Sequence, residues 1–252
     1  MKIIEALRIE EGDVVAIVGA GGKTSLMFAL ADAAQKPVCL TTTTKLMREE
    51  GQGIAENIFF SDFATDPGKN FRQAEISLVT NSLIESTQKW QGLSLLQADE
   101  LISVCRQEKV TCLIEADGAR HLPLKAPEEW EPVIPELVDQ VIVVVGLSAI
   151  CKPLNAETVF REDIFTDLTG LRLGEPIQLE HVLKMLKHPA GGLKGIPPTS
   201  EAAVVFNQDD ACSLKPAEKE MIQEALQGSF YGAILTSLRT DSENCEIIFD
   251  RK

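Results

Sequence analysis

The chain has 252 residues, 44% of them hydrophobic, and carries 24 basic against 38 acidic side chains for a formal net charge of −14. That length allows a sizeable core, and no apolar run approaches the ~20 residues of a membrane helix. A field of this sign repels phosphate backbones, which argues against general nucleic-acid binding, as the lack of a long apolar run argues against a membrane, and any phosphorylated ligand must be held by local donors.

The N-terminal stretch MKIIEALRIEEGD is broken by Glu5, Glu10 and Glu11, so it lacks a signal peptide's apolar core and the cytoplasm is the expected compartment. Val14–Val18 is apolar without alternation, as in a strand buried on both faces. It runs into GAGGKTSL, and the spacing predicts a helix over Thr24–Ala34. Gly19, Gly21 and Gly22 allow the backbone to approach an anion, with Ala20 and Ser25 completing the loop. Lys23 can reach outer phosphates, and Thr24 can offer a hydroxyl to Mg²⁺. The pattern G-x-x-x-x-G-K-[ST] requires glycine at position 17, where Ile17 stands. The shorter G-x-x-G-K-T-S resembles the loop of Mur-type amide ligases, and the G-A-G-K-T-T of metallochaperone GTPases is near. The plain alternative is a glycine-rich turn with an exposed lysine.

Pro37–Thr42 reads as the second strand, its threonine run Thr41–Thr44 ending before Lys45. Those threonines suit a strand through β propensity alone, or they bring a hydroxyl to Mg²⁺ or a γ-phosphate. Asn57–Ser61 and Ser77–Thr80 are the next strands, and Gln97–Glu108 is a helix. Thr111–Ala116 then delivers Glu115 and Asp117, in CLIEADGARHLPLK, to a strand's C-terminal end, where open α/β sheets bind ligands. Residues two apart on a strand share a face, so both carboxylates are candidates for Mg²⁺ or for orienting water. Glu115-x-x-Gly118 resembles the E-x-x-G of metallochaperone GTPases and dethiobiotin synthetase. Arg120 and Lys125 are the nearest cations and can hold an anionic substrate or the transferred phosphate, with a structural ion pair between Arg120 and Asp117 as the plain alternative. His121 beside Arg120 is either a base or part of a clamp, or, as a lone histidine more often is, structural.

Gln140–Val145 is another buried strand. Roughly residues 150–200 break the rhythm with no convincing strand, a helix over Leu179–Lys187 and the turn-rich PAGGLKGIPP, and read as a helical insertion. His181 and His188 lie there and read as surface residues. The sheet resumes with Ala202–Asn207, followed by Asn207-x-x-Asp210. That pair resembles the guanine-reading N-K-x-D, with Gln208 in place of lysine, or it is a helix cap. A helix over Pro216–Gln227, a strand over Tyr231–Thr236 ending in Thr-Ser, and a last strand near Ile247 close the chain. Cys39, Cys105, Cys112, Cys151, Cys212 and Cys245 are scattered and read as reduced thiols, with no zinc-ligand spacing. Strand–helix alternation predicts one α/β domain over 1–252, built on a mostly parallel, doubly wound sheet. The opening loop makes it P-loop NTPase-like.

Taken together, EGDVVAIVGAGGKTSL, LTTTTKL, IEADGARHLPLKAPEEWEPVIP, VVGLSAICKPLN with Arg161, and VVFNQDD resemble the YqeC-like family, known as selenium-dependent molybdenum hydroxylase accessory (selenium cofactor biosynthesis) proteins. The D-G-A-R-x-x-P-L-K-A-P block is its most specific signature. The resemblance implies a P-loop nucleotide-binding fold and a partner among the molybdenum hydroxylases or their cofactor-assembly proteins. The residues themselves lead to a Mg²⁺-dependent NTPase binding GTP or ATP. Lys23 and the loop amides would stabilise phosphate charge, Thr24 with Glu115 or Asp117 would hold Mg²⁺, and Asn207 with Asp210 would favour guanine. Two other readings stand beside it. One is an ATP-dependent ligase or kinase acting on a small anion near Arg120 and Lys125. The other is a non-catalytic, nucleotide-gated scaffold for an apoenzyme.

Overall fold

A computed structural model describes residues 1–48, 55–66, 68, 71 and 73–251. In chain order the strands are β1 (Val14–Gly19), β2 (Val38–Thr42), β3 (Lys45–Met47), β4 (Glu56–Phe59), β5 (Ile76–Thr80), β6 (Ser82–Ile84) and β7 (Lys89–Gln91). After them come β8 (Thr111–Glu115), β9 (Leu124–Lys125), β10 (Gln140–Gly146), β11 (Val159–Phe160), β12 (Glu201–Asn207), β13 (Gly232–Ser237) and β14 (Asp241–Asp250). Nine of these make one sheet in the order β14-β13-β12-β10-β1-β8-β2-β5-β4. Every neighbouring pair is parallel except β13–β14.

The central strands are apolar on both sides because each face of the sheet carries a core. Val14, Ala16 and Val18 of β1 point into one core, with Leu101, Ile102 and Phe165. Val15 and Ile17 point into the other, with Leu26, Leu30 and Ile3. This is the period of two that a strand imposes, here with helices on both faces. The α/β class and the mostly parallel sheet expected from the sequence are what the chain forms. No helix among the described residues is long and apolar enough to cross a membrane.

Three local departures have physical causes. The run predicted as a strand through Ser61 stops at Phe59, and Phe60–Phe63 turns helical, burying Phe60 and Phe63 against Phe71. The segment between β10 and β12 holds the expected helix Leu179–Lys187, a second helix Glu162–Thr169, and also a short strand. That strand is β11, which pairs in parallel with β9 through Val159↔Leu124 and Phe160↔Lys125. Two- and three-residue strands carry too little pattern to be read from sequence. The same holds for the small antiparallel sheet β3-β7-β6.

The helices begin in different ways. The helix Leu95–Glu108 is closed by a capping box, with Gln97 N–H donating to Ser94 Oγ at 3.3 Å and Ser94 N–H to Gln97 Oε1 at 3.0 Å. At Leu179–Lys187 and Pro216–Leu226 a side chain reaches back to the first amide: His181 Nδ1 accepts from Gln178 N–H, and Glu218 from Lys215 N–H. The helix Lys23–Ala33 has no side-chain cap; it begins after Gly22, at φ 126°.

Candidate functional site

The C-terminal ends of the parallel strands β1, β2, β8, β10 and β12 lie at one end of the sheet, with β1 between β10 and β8. A cleft of about 620 Å³ opens there, within the usual size of a small-molecule site. Gly21, Gly22, Lys23, Thr24 and Ser25 form part of its lining, with Thr44, Glu115, Arg120, His121 and Glu131 among the other contributors. A second, apolar void beside Gly19, Val144 and Met185 is only about 30 Å³, too small for any ligand larger than water.

The loop leaving β1 is held rigidly from behind. Gly19 N–H donates to Asp117 Oδ2 at 3.0 Å, Ala20 N–H to Val144 O at 2.9 Å, and Gly21 N–H to Leu122 O at 3.0 Å. Gly19 has φ 93°, and a Cβ there would stand 2.3 Å from Val144 O, so only glycine fits. These three amides are spent inside the protein. The amides of Gly22 to Ser25 are those that an α-helix leaves without intrahelical partners, and all four residues line the cleft. The amides left open to the cleft therefore lie toward the helix, at Gly22 to Ser25 rather than across the whole Gly19–Ser25 span read from sequence.

Lys23 is buried at 5% exposure and bonds to Gly19 O at 2.9 Å. Its Nζ lies 3.2 Å from Asp117 Oδ1 and 3.9 Å from Glu115 Oε1. Burial disfavours its charge, but Asp117 and Glu115 outweigh that and hold its pKa above the ordinary lysine value. Thr24 Oγ1 donates to Glu115 Oε2 at 2.8 Å. Thr24 and Glu115 are thus joined directly. Both are oxygen donors, as a hard divalent cation requires.

Asp117 and Lys125 lie behind the loop rather than in the cleft lining. Lys125 Nζ meets Asp117 at 3.0 Å, Glu131 at 2.7 Å and Gly118 O at 2.8 Å. Glu131 also forms an ion pair with Arg161, which starts the helix Glu162–Thr169. The result is a continuous chain of charges from Lys23 through Asp117, Lys125 and Glu131 to Arg161. Burial raises the Glu131 pKa, but Arg161 and Lys125 together draw it below the usual carboxylate range. Asp117 Oδ1 is buried and, its ion pair with Lys23 aside, accepts no hydrogen bond among the described residues. It sits where a polar partner or an incoming cation would be welcome.

The remaining sequence candidates divide. Asn207 is buried and braces the loop, donating to Gly21 O at 2.7 Å and accepting from Leu238 N–H at 3.0 Å. Asp210 does not line the cleft; it pairs with Arg239 at 3.0 Å, and its amide donates to Ser237 Oγ. Arg120 and His121 line the cleft at successive positive φ values of 50° and 61°. Arg120 does not pair with Asp117; its guanidinium lies 4.7 Å from the centroid of Phe160. The threonine run is largely structural, with Thr41, Thr42 and Thr43 donating to Val79 O, Glu115 O and Val133 O. Only Thr44 of the four lines the cleft. His181 and His188 cap local amides.

Sequence reasoning missed that Glu131, Phe160, Lys45 and Lys89 line the cleft. The acidic EEWEP that directly follows the signature block was a usable signal for Glu131. It also missed the convergence of Cys39, Cys105 and Cys112, whose sulfurs lie within 4.8 Å of one another. They come from two strands and a helix, so no spacing could announce them. All three are fully buried in an apolar core, where thiols pack as small hydrophobes.

The fold and site define an α/β protein with a glycine-rich strand-to-helix loop and a carboxylate-bearing neighbour strand at one end of the sheet. A family model described as YqeC protein matches residues 15–163. The chain is also 35% identical over 217 residues to the uncharacterized protein YqeC of Escherichia coli (strain K12), covering 85% of this chain and 83% of that protein. The chain belongs to the YqeC family. No solved structure matches it.

Proposed function

We propose that this protein is a P-loop-type, Mg²⁺-dependent nucleoside triphosphate-binding protein that turns its nucleotide over. One observation carries the reading: the single N-terminus of Lys23–Ala33 presents open amides, a lysine and the Thr24–Glu115 pair to the same cleft. Helix N-termini attract anions through unsatisfied N–H groups and the helix dipole. In this reading the amides of Gly22 to Ser25 bind the phosphates. Lys23 exchanges its bond to Gly19 O for a phosphate oxygen, and Asp117 holds the lysine in reach. Thr24 and Glu115 would hold Mg²⁺, which when bound neutralises phosphate charge and orients the transferring group.

Guanine and adenine remain distinct proposals for the base. Asn207 supports the loop in either case, whereas a guanine-reading Asp210 must exchange Arg239 for the base. Family membership supports placing the activity in the maturation of selenium-dependent molybdenum hydroxylases. A molybdenum hydroxylase or one of its cofactor-assembly proteins would then be the partner, and the segment between β10 and β12 would offer it a surface.

A thermal-shift screen of ATP, GTP and CTP with and without Mg²⁺ tests this. A nucleotide at a hundredfold excess over its Kd stabilises by about 2.7 kcal/mol. We expect a Mg²⁺-dependent upward shift with ATP or GTP; no shift with any triphosphate contradicts the proposal. If Asp210 reads guanine, Asp210→Asn lowers the GTP shift and leaves the ATP shift alone.

A further inference from the structure

We infer that the cleft contains a second anion subsite, centred on Arg120 and completed by Lys45 and Lys89, that holds a phosphate-bearing acceptor beside the nucleotide. Its place beside a nucleotide rests on the proposed function, whereas the anion site itself rests on separate observations. Five lysines and arginines line the cleft: Lys23, Lys45, Lys89, Arg120 and Arg161. Two of them are committed to carboxylates, Lys23 to Asp117 and Glu115, and Arg161 to Glu131 and Glu128. Among the described residues, no carboxylate stands within ion-pair distance of the other three. In a chain with 38 acidic and 24 basic residues, leaving three cations unneutralised around one cavity is the unexpected arrangement.

Arg120 is the most constrained of them. It is exposed, yet it occupies the left-handed backbone region at φ 50°, next to His121 at φ 61°. Such conformations are disfavoured for residues with a Cβ and cluster at ligand clamps. Its guanidinium lies against Phe160, and Arg161 approaches the same ring to 4.4 Å. An aromatic ring restrains a guanidinium while leaving N–H donors for an oxyanion, and the planar fork suits phosphate. Lys45 and Lys89 come from β3 and β7, the strand pair in which Met47 faces Lys89 and Lys45 faces Gln91. That small sheet brings two point charges to the cleft without adding an acidic residue to its lining. Lys125, the sequence candidate for this role, is excluded because Asp117 and Glu131 occupy it.

The test titrates inorganic phosphate calorimetrically into the full-length protein saturated with ADP and Mg²⁺. One phosphate site is expected. Arg120→Ala should weaken it by about tenfold or more, as for a hydrogen bond to a charged group, and Lys45→Gln with Lys89→Gln should weaken it by a smaller factor. ADP affinity in these variants should stay within about twofold, because exposed charges away from the loop amides and Lys23 act on ADP only through a screened field. Arg120→Lys, which keeps the charge without the fork, should fall between wild type and Arg120→Ala. Phosphate binding that disappears once ADP is present, or that is indifferent to Arg120→Ala, overturns the subsite. If ADP does not bind at all, the nucleotide reading fails, and phosphate is titrated into unliganded Lys23→Ala protein. Binding there that depends on Arg120 sustains the subsite, and binding that ignores Arg120 overturns it.

Discussion

The helices Leu95–Glu108 and Lys23–Ala33 both follow a buried region and pack on the same sheet, yet they begin in opposite ways. At Ser94 the chain supplies its own acceptors, and the capping box closes the terminus. At Gly22 it supplies none, and it could not easily do so. Gly22 has φ 126°, a backbone conformation that strains Ser, Thr, Asp or Asn, and a Cβ there would stand 2.4 Å from Asn207 Nδ2 and push it off the loop. A cap is worth about 1 kcal/mol. The open terminus forgoes that stabilisation in the same place where the chain concentrates its buried charges. The difference separates a helix start closed by its own side chains from one whose amides are left open to the cleft.

The largest effect should come from the charge chain behind the open terminus. Glu131→Ala leaves Lys125 and Arg161 without their shared carboxylate, which should cost about 3–5 kcal/mol in denaturant unfolding. Glu131 has a depressed pKa, so its contribution is complete at neutral pH. It is lost as pH falls from the ordinary glutamate value of about 4.3 through the lower folded value. Wild-type stability should therefore drop across that acid range more steeply than that of Glu131→Gln. Equal slopes would show that the network is not held by this carboxylate.

Asn207→Ala comes next. It strips buried partners from Gly21 O and Leu238 N–H, at about 1–3 kcal/mol, and should also weaken nucleotide binding because the loop loses its brace. Ser94→Ala is the control at the other helix, expected to cost about 1 kcal/mol with nucleotide affinity unchanged. If Ser94→Ala altered that affinity as much as Asn207→Ala, the contrast between the two helix starts would collapse.

The buried strands and the loop were legible because their signals are local and long enough to count. Val14–Gly19, Gln140–Gly146 and Glu201–Asn207 are runs of six or seven residues, and Gly19 to Thr24 joins a strand to a helix within one contiguous segment. Glu115 was readable because it ends an apolar strand. What the sequence concealed depends on contacts across long separations. The amides of Gly19 to Gly21 looked available until Asp117, Val144 and Leu122 were found to accept from them. Lys125 looked like a ligand-binding cation, but burial beside Asp117 and Glu131 makes it structural. Lys45 and Lys89 lie on three-residue strands whose pairing places them at the cleft, and no periodicity of that length can be read.

The central claim is that the open helix terminus binds nucleotide phosphates through Lys23. Calorimetric titration of ATP and GTP with Mg²⁺ into wild type and Lys23→Ala tests it most directly. Saturable wild-type binding of at least one of the two is expected, weakened by about tenfold to a hundredfold in Lys23→Ala, the range for losing a hydrogen bond to a charged group. Equal affinities in the two proteins, or no binding to wild type, would contradict it.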